Sequence, residues 1–191
     1  MSLRLAQEPD ADALLEADPF ALLTGMLLDQ QIPMERAFAG PATIAGRLGV
    51  ARLDPAEIAA MGEQPFAEVL SEAPAVHRFP GSMAARVQAL ARTIVEDYDG
   101  DAAAVWTTAQ DGADLVARLA ALPGFGTQKA QIFTALLGKQ LGVQPSGWRA
   151  AAGSYGQDGS RRSIADVTGP ESLNEVRAFK KALKAAAKAH G

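Results

Sequence analysis

The chain contains no cysteine among its 191 residues. That absence excludes disulfide bonds, thiolate nucleophiles, iron–sulfur clusters and cysteine zinc sites. Histidine is almost as scarce, since His77 and His190 are the only two and stand far apart. A histidine-based metal site would need carboxylates to complete it. We therefore expect no metal and no cofactor.

Long apolar runs and an overall positive charge are also missing. No apolar stretch reaches the length of a membrane span, and MSLRLAQEPD lacks the pattern of a secretion signal. We therefore expect no membrane partner, a cytoplasmic location and a monomer. The net charge of −4 argues against a polyanion binder that acts through overall charge, so any nucleic-acid contact must be local. Lysines do cluster in the last dozen residues, at 180, 181, 184 and 188.

Alternating β-branched and aromatic residues are nowhere clear, which predicts an all-α fold. Asp18-Pro19 and Asp54-Pro55 each place a capping side chain before a proline that suits the first helical position. Pro33 and Pro65 are expected to begin helices in the same way.

Three longer segments complete the predicted fold. A helix capped by Ser82 should end at Gly100, and a tail helix from Pro170 should carry an apolar stripe ending at Leu183. Residues 144–163 hold four glycines and predict a loop with at most a short helix near Trp148.

The segment LPGFGTQKA places a tight turn between two predicted helices. Gly124 and Gly126 allow positive φ, and the unpaired N–H groups at the start of the second helix form an anion site that fits a phosphate. Such a contact would position a nucleic acid without reading its sequence. The alternative is a tight connection between packed helices, with Phe125 as a core anchor and Lys129 simply solvated.

This segment resembles the LPGxGxxTA hairpin of the helix–hairpin–helix DNA glycosylase superfamily. DPFALLTGMLLDQQIPMERAFAGPATIAGRLG, about ninety residues upstream, is similar to that superfamily's other recognisable stretch, most like its 3-methyladenine glycosylase branch. FPGSMAARVQALARTIVEDYDGD resembles the helix between lobes, and the resemblance covers about residues 12 to 145. The absence of the family's iron–sulfur cysteines is ordinary in that branch.

The resemblance implies one unit, residues 1–191, of two helical lobes around a central cleft. The approximate lobes are 1–30 plus 140–191 and 31–139. DNA would be held by the hairpin, and the target base would turn out of the stack into the cleft. The residues implied in DNA binding are Gln30, Gln31, Pro123, Gly124, Phe125, Gly126, Thr127 and Lys129. Gln30 and Gln31 have an alternative interpretation as exposed residues that end a helix.

Two departures from the family pattern concern catalysis. Gln128 stands where bifunctional members carry a lysine nucleophile, which disfavours strand cleavage. The place of the family's catalytic aspartate falls at Pro145 or Ser146. Candidate substitutes are Asp29, Asp158 and Asp166. Asp29 has the best position, although an aspartate at this place commonly caps or solvates a helix end.

Three functions remain open at this level. The preferred hypothesis is a base-excision repair protein that cleaves the N-glycosidic bond of a cationic or otherwise weakened purine, without lyase activity. The alternative is a non-catalytic DNA-binding or lesion-sensing protein that has lost the aspartate. A helical scaffold without a DNA role is the third. Trp148 is expected to pack in the core rather than stack on a base.

Overall fold

A computed structural model describes residues 2–191. Within that range the chain forms eleven α-helices and no β-strand, which confirms the all-α prediction. The helices are α1 (Pro9–Ala17), α2 (Pro19–Leu28), α3 (Met34–Leu48), α4 (Pro55–Ala60), α5 (Glu63–Ser71), α6 (Pro80–Tyr98), α7 (Ala104–Thr107), α8 (Gly112–Ala120), α9 (Gly126–Gln140), α10 (Trp148–Ala151) and α11 (Pro170–Ala189). Two short 3₁₀ helices, Gly153–Gly156 and Ile164–Asp166, precede α11. The division into two lobes stays a prediction.

The starts of α2 and α4 follow the predicted pattern of aspartate before proline. One carboxylate oxygen of Asp18 accepts hydrogen bonds from the N–H groups of Phe20 and Ala21, and the other accepts one from Leu53 N–H at 2.7 Å. Asp54 caps α4 in the same way. A single buried carboxylate therefore starts α2 and also ties it to the segment before α4.

Three other predicted starts are shifted. Helix α3 begins one residue after Pro33, α5 begins two residues before Pro65, and α6 begins two residues before Ser82. Proline is tolerated just before a helix and throughout its first turn, where its missing N–H has no intrahelical acceptor. Its position therefore does not fix the first helical residue.

Helix α2 lies at the centre of the first part of the core. Every residue from Phe20 to Leu28 is buried, because α1, α3 and α6 pack around it. A helix that is apolar on all sides belongs in a core. The turn that follows it therefore leaves from a rigid support.

Helix α9 organises the rest of the core together with α8, α10 and the two 3₁₀ helices. Trp148 is buried, and a Cβ on Gly138 of α9 would lie only 2.4 Å from the Trp148 ring. The expected packing role of this tryptophan is thereby confirmed. The glycine-rich segment 144–163 folds as α10 and one 3₁₀ turn, as predicted.

Helix α11 begins at Pro170 as predicted, but its apolar stripe is shorter than expected. Leu173 and Val176 are buried, Phe179 is half-buried, and Leu183 is 54% exposed. All residues from 181 onward are exposed, because the helix extends past the 3₁₀ segment against which it packs. None of the helices in residues 2–191 combines the length and the apolar character needed to cross a bilayer.

Candidate functional site

The hairpin between α8 and α9 has two glycines with positive φ, +81° at Gly124 and +71° at Gly126. A Cβ at Gly124 would lie 3.3 Å from Cδ1 of Leu27, whereas a Cβ at Gly126 would meet nothing within 4 Å. Gly124 therefore permits close contact with the end of α2. Gly126 is needed only for its backbone conformation.

The first turn of α9 is open to solvent. Gly126, Thr127 and Gln128 are exposed, and no side chain within residues 2–191 caps this helix. The N–H groups of a first helical turn lack intrahelical acceptors and carry the positive end of the helix dipole. This end of α9 has the properties of an anion site.

Phe125 lies inside the hairpin rather than on its surface. Its side chain is 7% exposed, and its ring meets that of Phe133 edge-on, with centroids 6.1 Å apart. The core-anchor alternative is therefore the correct one for this side chain. Pro123, which precedes it, is half-buried.

Lys129 joins the hairpin helix to the end of α2. Its Nζ donates to the carbonyl oxygens of Met26 at 2.7 Å and Leu27 at 3.0 Å. A cation is favourable there because α2 ends with unpaired carbonyls and a negative dipole. Burial lowers the pKa of Lys129 to about 8, against the opposing influence of Asp29. Lys129 is therefore neither simply solvated nor free on the surface.

Asp29 is the first residue after α2. Burial raises the pKa of its carboxyl group, while the nearby ammonium groups of Lys180 and Lys129 act in the opposite direction. Its backbone N–H closes α2 by donating to Gly25 and Met26. No side-chain hydrogen bond holds its carboxylate within residues 2–191. The carboxylate is therefore held close to cations without being fully paired.

The two glutamines of the turn differ in role. Gln30 donates from Nε2 to Leu27 O at 2.9 Å and accepts from Arg86 through Oε1 at 2.9 Å. Gln31 is exposed and has a positive φ of 59°, which is uncommon for a residue other than glycine. Gln30 thus fixes the turn, and Gln31 projects from it with no hydrogen-bond partner in the described chain.

His77 supports the same turn from the loop before α6. Its buried ring donates from Nε2 to Gln30 O at 2.8 Å and accepts at Nδ1 from Phe79 N–H at 2.9 Å. This pairing requires the neutral ring with its proton on Nε2. Burial lowers the pKa of His77, consistent with that form. The sequence offered no signal for this role beyond the scarcity of histidine.

Two pockets border Asp29, and we name each after one lining residue. The Tyr155 pocket has a volume of about 220 Å³ and is lined by Met26, Asp29, Gln128, Lys129, Ile132, Ser154, Tyr155, Arg162, Phe179, Lys180 and Leu183. The Gln31 pocket, of about 880 Å³, is lined by residues 29–34, Arg78, Arg177, Lys180, Lys181, Leu183 and Lys184. Asp29, Lys180 and Leu183 separate the two.

Only one of the three candidate carboxylates lies at these pockets. Asp158 pairs with Arg149 at 2.7 Å on the surface, and Asp166 is buried in an ion pair with Lys139 at 2.7 Å. Neither lines the Tyr155 pocket or the Gln31 pocket. Asp29 is therefore the candidate that the geometry favours.

Pro145 and Ser146, where the resemblance noted in the sequence would place a catalytic aspartate, serve a structural purpose. The carbonyl of Ser146 accepts from Gly112 N–H at 2.8 Å, and that of Pro145 accepts from Trp148 N–H at 3.1 Å. The Ser146 bond attaches the connection after α9 to the start of α8, and the Pro145 bond closes the turn that leads into α10. Neither residue lines a pocket that contains Asp29.

Positive charge surrounds both pockets although the chain as a whole is acidic. The cationic side chains that line them are Arg78, Lys129, Arg162, Arg177, Lys180, Lys181 and Lys184. Of the cations in the Gln31 pocket, Arg177 is paired with Glu35. The arrangement places a local cationic surface, an open helix start and one half-buried carboxylate, that of Asp29, next to each other.

The sequence predicted the turn, the hairpin and Lys129, but it did not predict Tyr155, Arg162 or Arg86. The chain matches no family model, and no match was found among curated proteins or solved structures. Across residues 2–191, no three histidine, aspartate or glutamate side chains are arranged to hold a metal ion.

Proposed function

We propose that this chain is a base-excision DNA repair protein that releases damaged bases by hydrolysing the N-glycosidic bond. The observation that carries the proposal is the Lys129 link. It holds the anion site of the hairpin next to the half-buried carboxylate of Asp29, within a cationic surface. The resemblance of the hairpin and of the segment around Asp29 to DNA glycosylases supports the same function.

The hairpin would bind one phosphate of the DNA backbone. Exposed N–H groups from Gly126 to Gln128 supply the donors, and the cations around the Gln31 pocket supply a local field. Gln31, which is exposed and lines that pocket, would occupy the gap left by a base that has turned out of the stack.

Asp29 would act on the sugar. Cleavage of an N-glycosidic bond develops positive charge on C1′, and a nearby ionised carboxylate stabilises that charge or activates water. Lys129 and Lys180 favour the ionised form that this role requires. Lys129 itself is committed to two carbonyl oxygens, which agrees with hydrolysis rather than attack by an amine.

A non-catalytic DNA-binding protein is the second candidate, and the pKa of Asp29 favours it. Burial shifts that pKa upward, which disfavours the ionised carboxylate that would stabilise a developing cation. Such a protein would retain damaged duplexes through the hairpin and the cationic surface without releasing a base.

Replacing Asp29 by Asn separates the two candidates. Purified protein in excess at low salt would be incubated with labelled duplexes that carry deaminated, oxidised, alkylated or abasic nucleotides. Retention and base release would both be scored. For an enzyme we expect Asp29→Asn to lower the release rate by at least about a hundredfold while retention persists. Because desolvation already disfavours the charged form of Asp29, we also expect the variant to unfold no more easily than the original protein.

Asp158→Asn is the matched control, since this carboxylate is exposed and lies outside both pockets. It should leave release unchanged. Retention without release across all duplexes would establish the binding protein instead. Absence of both retention and release would exclude either DNA function.

A further inference from the structure

The lining of the Tyr155 pocket has an uneven charge. Lys129, Arg162 and Lys180 contribute three cationic groups, whereas Asp29 is the only acidic residue. Even with Asp29 ionised, the pocket carries an excess of positive charge. A ligand with its own positive charge would therefore be repelled there.

Two of these cations, Arg162 and Lys180, have N–H groups that donate to no acceptor in the described residues. The guanidinium of Arg162 lies over the ring of Phe179 at 5.1 Å, which holds it in place without using its N–H groups. Neither this guanidinium nor the Nζ of Lys180 has a hydrogen-bond acceptor within residues 2–191. Lys129, by contrast, already donates to two carbonyl oxygens.

Aromatic and apolar side chains complete the pocket. Tyr155 offers an aromatic surface, and Met26, Ile132, Phe179 and Leu183 add apolar contact. The amide of Gln128 donates to the hydroxyl of Tyr155 at 3.0 Å, which fixes both side chains at the rim. A flat ring that carries hydrogen-bond acceptors fits this combination of stacking surfaces and donors.

We propose that the Tyr155 pocket selects neutral damaged bases with exposed carbonyl oxygens, such as uracil and hypoxanthine, over cationic alkylated purines. This inference rests on the proposed function. It replaces the cationic purine expected from the sequence, because that expectation took no account of Arg162 and Lys180.

The same cations suit the departure of a neutral base. When the C1′–N bond breaks, both bonding electrons go to the base nitrogen, so the base leaves as an anion and C1′ becomes cationic. Water then forms the new C1′–O bond, and the proton that it releases neutralises the base. Arg162 and Lys180 would stabilise the negative charge on the base, while Asp29 faces the positive charge on the sugar.

The test compares four duplexes of one sequence that differ at a single position: uracil, hypoxanthine, 7-methylguanine and the undamaged base. Base release would be measured as a rate above spontaneous loss, and retention would be measured in parallel. We expect the duplex with uracil or hypoxanthine to show both faster base release and stronger retention than the duplex with 7-methylguanine. Arg162→Gln and Lys180→Gln should each reduce release of the neutral base by about a hundredfold.

Lys181→Gln is the matched control, because this neighbour on α11 loses the same charge but lines only the Gln31 pocket. It should leave the preference among bases unchanged. If Arg162→Gln and Lys180→Gln reduce retention of all four duplexes equally, these cations bind phosphate and the inference is wrong. Preference for 7-methylguanine would also overturn it while leaving the glycosylase proposal intact. Equal behaviour of all duplexes, damaged and undamaged, would instead count against the proposed repair function.

Discussion

Asp29, Lys129 and His77 each depart from their ordinary protonation behaviour because burial penalises charge at one short turn. Burial raises the pKa of the Asp29 carboxyl group, lowers that of the Lys129 ammonium to about 8, and lowers that of His77. Shifted groups that cluster around a pocket are typical of functional sites. The turn after α2 is therefore the part of the chain where mutations should separate function from stability.

His77 predicts a specific dependence of stability on pH. Below the ordinary value of 6.5, the unfolded chain takes up a proton that the folded ring resists, so the free energy of unfolding should fall as the pH falls. The decline should level off below the lowered pKa of the folded state. Urea unfolding between pH 5 and 8, in about half-unit steps, would measure it.

His77→Gln should lose about 1–3 kcal/mol of stability at neutral pH, because a buried hydrogen-bond partner is removed. It should also lack the decline near pH 6. His190→Gln, at the exposed end of the chain, is the control and should keep that decline. The raised pKa values of Asp12 and Asp29 affect all three proteins, so their difference isolates His77. If His77→Gln kept the same decline in the free energy of unfolding, that decline would come from other titrating groups.

The hairpin is the element whose role can be tested without changing a charge. Gly126→Ala adds a methyl group in open space but forces a side chain into a positive φ, which should cost about 1–2 kcal/mol. We also expect weaker DNA retention, because the methyl group stands where a phosphate would approach the first turn of α9.

Gly49→Ala is a close control for the hairpin substitution. Gly49 ends α3 with a φ of +70°, and a Cβ there would likewise meet nothing within 4 Å. Its stability should fall by a similar amount, whereas DNA retention at equal folded concentration should stay the same. Equal DNA retention by Gly126→Ala and Gly49→Ala would show that the hairpin is not part of the DNA-binding surface.

Most helices could be predicted from the sequence, because their signals are local. Asp18, Asp54 and Pro170 each mark a helix start through capping or a fixed φ. The exposure of Leu183, which lies beyond the observed end of the apolar stripe on α11, could not be predicted. It depends on how far the 3₁₀ segment that packs against α11 extends.

Some residues of the candidate site could be predicted from local sequence, and others could not. Asp29, the glutamines and the hairpin lie in short motifs with recognisable sequence. Tyr155 and Arg162 come from the glycine-rich segment, whose path is set by distant contacts such as the ion pair between Lys139 and Asp166. Periodicity carries no information about such contacts, so the donors that decide base preference were not predictable.

The molecule as a whole is acidic but has a cationic region around α11 and the turn after α2. Such a distribution confines attraction for polyanions to one surface. We therefore expect the logarithm of the DNA association constant to fall linearly with the logarithm of salt concentration, with a slope set by the number of phosphates contacted.

Lys184→Gln should reduce the magnitude of that slope by about one if Lys184 contacts a phosphate. Fluorescence anisotropy of a labelled duplex over a range of salt concentrations would measure it. Arg52→Gln removes an exposed charge that lines neither pocket around Asp29, and it should leave the slope unchanged. If Lys184→Gln had the same slope as the original protein, the DNA would bind away from this part of α11.

The Lys129 link also fixes a length. Because one ammonium group joins the hairpin helix to carbonyls near the end of α2, the start of α9 keeps a constant distance from Asp29, which lines the Tyr155 pocket. A phosphate gripped at the first turn of α9 would thus specify which nucleotide along the strand can reach the pocket. The chain would then act as a ruler, counting position from a phosphate instead of reading the bases between.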